Sequence, residues 1–189
     1  VSHIAKCVSF RGPDSTGLRI LDDSFRPAET GKNVFFFNRL AIIDLDPRSN
    51  QPFEDDRYLL IFNGEIYNYK ELREELQGAG IVFKTSSDTE VLFHALIRYG
   101  AKALLKLNGM FAFFFLDKKN QTFLPSRDRL GIKPLYYCQK SNSFSFASEL
   151  TSLVPLSYDS FNLSSKAVET YLWLQFVPTP YTIIESANK

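Results

Sequence analysis

Asn63-Gly64 stands at the end of the apolar run Tyr58 to Phe62. A glycine lets the backbone approach a ligand closely, and the asparagine amide offers a donor. Together they can form an oxyanion hole, with donors set where a carbonyl oxygen gains charge. The same dipeptide is also the ordinary signature of a hairpin turn. Arg39 lies between two apolar segments, where its planar fork of donors can hold a carboxylate in two bonds or serve an interstrand ion pair. Asp88 sits in Ser87-Asp88-Thr89-Glu90, a capping-box pattern. A carboxylate there favours the start of a helix and could equally bind an ammonium.

The elements that must position these groups follow from hydrophobic patterning. Val34 to Phe37, Leu40 to Asp44 and Tyr58 to Phe62 each read as strands, apolar over several consecutive positions and bounded by Asn, Asp, Pro or Gly. Such strands need cover on both faces. Asn68 offers an N-cap to a short amphipathic helix, Tyr69 to Gln77, which Gly78 and Gly80 stop. The capping box starts a second helix carrying Val91, Leu92, Ala95, Leu96 and Tyr99 up to Gly100, and a further helical stretch covers 101–107. Met110 to Leu116, a polar turn at 117–120 and Gln121 to Leu124 predict one hairpin. Leu135 to Cys138, Ser141-Asn142-Ser143 and Phe144 to Ala147 predict another. Hairpins imply antiparallel pairing, and helices interleaved with them point to two sheets with helices outside.

The 189 residues are 44% hydrophobic and 23% charged, enough for one substantial core, and neither repeats nor low-complexity segments break the chain. Lys plus Arg (22) nearly cancels Asp plus Glu (21). No general field therefore draws the chain to nucleic acid or to an acidic membrane. Cys7 and Cys138 are the only cysteines, and two without metal-type spacing fit a reducing, cytoplasmic setting. Cys7 reads as a buried helix residue in the pattern Val1, Ile4, Ala5, Val8, the end of a helix already under way. No apolar run reaches the roughly 18 residues of a membrane span, and no signal-peptide layout opens the chain. The start with Val and the aromatic-rich stretch from Tyr171 to Ile184 predict that the protein continues at both ends.

Six ordered blocks carry a resemblance. They are Arg11-Gly12-Pro13-Asp14, Arg39-Leu40-Ala41-Ile42-Ile43-Asp44, Asn63-Gly64-Glu65-Ile66-Tyr67-Asn68, Ser87-Asp88-Thr89-Glu90, Asn108-Gly109-Met110-Phe111-Ala112-Phe113, and the stretch from Arg127-Asp128-Arg129-Leu130-Gly131 to Tyr137. Phe146-Ala147-Ser148-Glu149 extends them. In order and spacing the chain resembles the N-terminal domain of glutamine-hydrolysing asparagine synthetases, a class II glutamine amidotransferase domain. Sugar-phosphate and phosphoribosyl amidotransferases share the Asn-Gly and Ser-Asp-Thr-Glu blocks, but typically lack Glu65-Ile66-Tyr67 and the Arg127 block.

The resemblance implies an α+β, four-layer αββα N-terminal-nucleophile hydrolase fold over residues 1–189, with L-glutamine as substrate. In that family an N-terminal Cys attacks the glutamine side-chain amide. Its α-amino group, with an unperturbed pKa of about 8, is the base. Carried over, Arg39 binds the α-carboxylate, and Asp88 with Glu65 holds the α-ammonium. Asn63 and Gly64 stabilise the oxyanion, and the backbone around Leu40, Ile42 and Ile43 lines the pocket. A zwitterion needs both signs of charge, and Arg39 with Asp88 supplies them.

No metal or cofactor is implied for this domain. ATP and Mg belong to a C-terminal synthetase domain toward which Tyr171 onward leads. The Cys-Gly-Ile start and first strand of the family lie outside this sequence, so the 189 residues alone are expected to be inactive. Phe10 stands where the family has His, and Pro125-Ser126 where a small strand residue is usual. A relative with another acceptor, or a catalytically dead amino-acid-binding or assembly domain, remains an alternative, and a homodimer stays open.

Overall fold

The structure, a computed structural model, describes residues 8–156 and 162–189. It groups into two compact units, one over Ser9–Lys133 and one over Pro134–Lys189. Cys7, with the helix predicted around it, lies outside the described residues.

The larger unit is built on a four-stranded antiparallel sheet ordered β3-β4-β5-β6 (Phe53–Glu54, Tyr58–Ile66, Gly109–Asp117, Thr122–Arg127). Strand alternation divides its residues between two faces. Leu60, Phe62 and Ile66 of β4 and Phe111, Phe113 and Phe115 of β5 point to one face, under α1 (Tyr69–Gly78) and α2 (Asp88–Tyr99). Leu72, Leu76, Val91, Leu92 and Leu96 close that core. On the other face lies the antiparallel pair β1 (Ser15–Leu21) and β2 (Asn33–Arg39), and the rings of Phe35 and Phe114 meet at 5.7 Å. Helices, sheet and sheet give this unit three layers of the expected α-β-β-α stack. Pro125 falls on β6, at the end of the strand order, where a missing N–H costs least.

Four local expectations change. Leu40 to Asp44 is loop, because Leu40 and Ile42 are 55% and 63% exposed and polar groups hold the segment. Asn63-Gly64 is not a hairpin turn: β4 runs on to Ile66, with Asn63 opposite Ala112 and Gly64 opposite Phe111. Asn68 precedes α1 but makes no side-chain cap; its amide instead donates to Lys106 O at 2.9 Å and accepts from Asn108 N. The stretch after α2 is a 3-10 turn over Gly100–Leu105.

The predicted capping box forms only by half. Ser87 Oγ accepts from Glu90 N at 3.2 Å. The Glu90 carboxylate turns instead to Lys84 N, Thr85 N and Thr85 Oγ1, and so fixes the approach to α2.

The smaller unit holds the second predicted hairpin, β7 (Tyr136–Lys140) with β8 (Ser143–Ala147). It also holds α3 (Leu150–Leu153) and α4 (Ser165–Leu174). Cys138, Leu153, Ile184 and Ala187 form its core. The end of the chain pairs beside β7, Tyr137 and Asn188 exchanging two backbone bonds of 2.9 Å. Helix α4, which the aromatic-rich composition concealed, starts where Ser164 Oγ accepts from Ala167 N. Among the described residues no helix is long and apolar enough to cross a membrane.

Candidate active site

The predicted site residues occupy three places in the larger unit: the end of β2 with its following loop, the last half of β4, and the first turn of α2. A polar network joins them.

Arg39 is the last residue of β2 and only 9% exposed. Its guanidinium donates to Asn50 Oδ1 at 2.9 Å, to Asp46 O at 3.4 Å and, closely, to Asp44 O. Three of its five N–H groups thus hold the loop, which leaves two for a ligand. Asp14 pins the loop from the other side, accepting from Ala41 N at 2.7 Å while its own N–H donates to Arg39 O. Gly12 makes that approach possible: a Cβ there would lie 2.4 Å from Asn38 O.

The loop is tied to β4 by Gln51. Its side chain accepts from Phe62 N at 2.6 Å and donates to Phe62 O at 2.8 Å, as a neighbouring strand would. That fixes the backbone one residue before Asn63. Because Phe62 and Ile66 face the helices, alternation turns Asn63 and Glu65 to the opposite face. Gly64 is required by contact: a Cβ there would fall 2.1 Å from Met110 O and 2.7 Å from Phe111 Cα. Gly109, opposite Ile66, packs as closely, its Cβ position lying 2.2 Å from Glu65 O. Glycines thus let β4 and β5 approach closely on either side of Glu65.

Asp88 opens α2 and is 5% exposed. Its Oδ2 accepts from Ile66 N at 3.0 Å, which joins the helix start to the residue after Glu65. Burial raises its pKa; the N–H groups of Ile66, Thr89 and Asp88 itself oppose this, and the Glu65 charge adds to it, leaving a value of about 6. Asp44, though buried, behaves differently. Burial pushes its carboxyl up, but the Asp46 N–H, the Ser49 hydroxyl and the N–H and hydroxyl of Ser86 outweigh this and hold it below the ordinary value. At Asp44 the hydrogen bonds outweigh burial, and at Asp88 burial outweighs the hydrogen bonds.

The Arg127 block is architectural. The Asp128 carboxylate accepts from the N–H groups of Leu130, Ile132, Phe111 and Lys133 at 2.9 to 3.2 Å. Arg127 in turn donates to Lys133 O and Gly131 O. Burial raises the Asp128 carboxyl, and those four donors more than offset it, so its pKa is lowered. A lowered carboxyl contributes stability above its unfolded pKa that disappears as pH falls through the folded value. Asp128→Ala, which removes the acceptor of four N–H groups, that of Phe111 buried and the other three part-buried, is expected to cost about 2 to 4 kcal/mol in urea unfolding at pH 7. A loss under 1 kcal/mol would show that the loop does not depend on this carboxylate.

The family resemblance assigns ligand and oxyanion roles to Arg39, Asn63, Gly64, Glu65 and Asp88 but gives none to Asp14, Asp44, Asn50, Gln51 or Ser86. Asp14 and Asp44 stand inside the quoted blocks; nothing in the spacing of Gln51 marks it. Leu40, Ile42 and Ile43 lie in the loop that Arg39 organises, with Leu40 and Ile42 exposed. Among the described residues no group of three or more His, Cys, Asp or Glu side chains could hold a metal ion. Cys138, the free cysteine among them, is buried, and burial raises its thiol pKa.

A glutamine amidotransferase domain model matches residues 1–189. Asparagine synthetase [glutamine-hydrolyzing] 1 of Bacillus subtilis is 42% identical over the whole of this chain, which covers 28% of that protein. Putative asparagine synthetase [glutamine-hydrolyzing] 2 of Methanocaldococcus jannaschii is 34% identical over the whole chain and 39% of its own length. The chain thus spans well under half of these relatives. Among solved structures, the glutamine phosphoribosylpyrophosphate amidotransferase of B. subtilis superposes with a TM-score of 0.64 at 23% identity, covering 80% of this chain and 39% of that one. The antiparallel sheets and helices described above are the fold of such amidotransferases, and the chain belongs to the glutamine amidotransferase domain family, as a homologue of the N-terminal part of asparagine synthetases.

Proposed function

We propose that the Arg39–Asp88 network binds L-glutamine and that the chain is the glutaminase part of a larger enzyme releasing ammonia for ATP-dependent amidation of aspartate. The observation that carries the reading is the pair of buried charges. Arg39 keeps two donors for a carboxylate, and Asp88 is buried with no cation offsetting its charge among the described residues. A free amino acid supplies both partners at one carbon.

Arg39 takes the α-carboxylate, Asp88 and Glu65 face the α-ammonium, and the pocket wall is the backbone of Leu40, Ile42 and Ile43. The side-chain amide then reaches Asn63 and the Gly64 N–H, donors set for the oxyanion that forms on attack. The nucleophile is the N-terminal Cys of the mature protein, with its own amine as base; buried Cys138 does not serve. Thiolate attack gives a thioester and ammonia, and water returns the thiol with glutamate. The domain itself needs no cofactor, while ATP and Mg serve the synthetase part. The outward-facing Leu172, Trp173 and Phe176 support the reading that a further part of the protein covers Tyr171 onward. Balanced charge and few cysteines support a cytoplasmic enzyme.

The test is calorimetric titration with L-glutamine, with glutaramate, which lacks the amine, and with 4-aminobutanamide, which lacks the carboxylate. L-Glutamine alone is expected to bind. Equal binding of all three, or of none, would remove the amino-acid site. In the same assay Arg39→Lys is expected to weaken L-glutamine at least about tenfold, since three donors on one point cannot hold both loop and ligand. Unchanged affinity would release Arg39 from the carboxylate role.

A further inference from the structure

Asp44 links Arg39 to the segment that leads into Asp88. Its backbone carbonyl accepts from the Arg39 guanidinium. Its carboxylate Oδ2 accepts from Ser86 N at 2.9 Å, Ser86 Oγ at 3.1 Å and Ser49 Oγ at 2.9 Å, and Oδ1 accepts from Asp46 N at 2.8 Å. Ser86 lies two residues before Asp88. Arg39 belongs to the β1–β2 layer and Asp88 to the helical layer on the other side of the four-stranded sheet. Asp44 and Ser49 are both buried, so the tie is not loosened by competing water.

We propose that Asp44 is a positioning residue that fixes the offset between Arg39 and Asp88 and thereby sets the preference of the site for the L over the D form of glutamine. The proposal rests on the glutamine reading above. Two enantiomers differ only in how three groups are arranged about one carbon, so a site separates them only if three anchors hold fixed relative positions. Carboxylate on Arg39, ammonium on Asp88 and side-chain amide at Asn63–Gly64 are those anchors. The Asn63 anchor is already fixed to the loop through Gln51 and Phe62. Asp44 adds the direct tie from Arg39 to the α2 approach. If this tie slackens, a D ligand can keep its amide in place and recover both charged contacts by a small shift of the poles.

The experiment uses the full-length protein as wild type, Asp44→Asn and Ser49→Ala, with KM and kcat for L-glutamine, Kd for both enantiomers, and thermal stability. Asp44→Asn is expected to raise KM for L-glutamine about tenfold with little change in kcat, the mark of lost positioning in the bound state. The ratio of D to L Kd should fall by a similar factor. Ser49→Ala removes one hydrogen bond to Oδ2 and should move that ratio the same way by less, so it decides the matter if Asp44→Asn does not fold. In the Arg39→Lys background, Asp44→Asn should change the ratio no further, because one end of the tie is already lost. Lower stability with an unchanged ratio in both variants would overturn the proposal, leaving Asp44 as a loop support. A wild type that does not bind L-glutamine would remove the glutamine reading itself, and the proposal with it.

Discussion

Asn63→Ala in the full-length protein is expected to lower the glutamine-dependent rate about a hundredfold or more, the usual loss when one oxyanion donor is removed. Synthesis driven by added ammonia should persist, because it bypasses the thioester. The strand itself should tolerate the change. Asn63 sits in the middle of β4 opposite Ala112, and the alignment there is maintained by backbone pairing, by the Gln51 side chain on Phe62 and by the close contact of Gly64 with β5. Measuring both nitrogen sources beside the melting temperature separates the outcomes. Equal loss with glutamine and ammonia would mean that Asn63 supports the fold, and an undiminished glutamine rate would take it out of the oxyanion site.

The second large effect comes from Asp88. With its pKa raised to about 6 by burial, the carboxyl is neutral in the ligand-free site at acidic pH and charged above. Only the charged form pairs with an ammonium. Glutamine Kd should therefore be flat above about pH 7 and weaken about tenfold per pH unit below the raised pKa. Asp88→Asn should abolish that slope and weaken binding at pH 8 by about 1 to 3 kcal/mol.

Its effect on the free protein should have the opposite sign. A carboxyl whose folded pKa lies above its unfolded value of 3.8 destabilises the fold once it is charged, above about pH 6, and the penalty is relieved as pH falls toward 3.8. Asp88→Asn keeps an oxygen for Ile66 N and removes the charge. Ligand-free stability at pH 8 should rise by about 1 to 2 kcal/mol, within the range that a two-unit shift permits. A fall in stability instead would mean that the carboxylate serves the α2 dipole more than it waits for a cation, and a pH-independent Kd would remove it from the ammonium site.

That Asp88 was legible in the sequence while Asp44 was not has a physical reason. Ser87-Asp88-Thr89-Glu90 is a local pattern, and helix starts are decided within one turn of chain. The contacts of Asp44 to Ser86, and of Gln51 to Phe62, join residues 42 and 11 positions apart, and spacing carries no trace of them. The apolar stretch from Leu40 to Asp44 misled for the same reason. Its composition is that of a strand, but Arg39, Asp14 and Asp44 consume the backbone and side-chain partners that a ladder would need. The strands β4 and β5 and the helix α2 were plain because their apolar residues recur at the period of the element. Strand β1, with Thr16, Gly17 and Arg19 among its seven residues, carries no such pattern.

The strand environment of Asn63-Gly64 also bears on how the protein ages. An asparagine followed by glycine is the sequence most prone to spontaneous deamidation, in which the glycine nitrogen closes on the asparagine side-chain carbon to form a succinimide. Pairing along β4, with Gly64 pressed against Met110 and Phe111, holds the dipeptide extended and keeps nitrogen and carbon apart. Unfolding releases that restraint. In a preparation warmed through its transition, part of the protein would come to carry a carboxylate in place of the amide, a negative charge where the proposed reaction needs a donor.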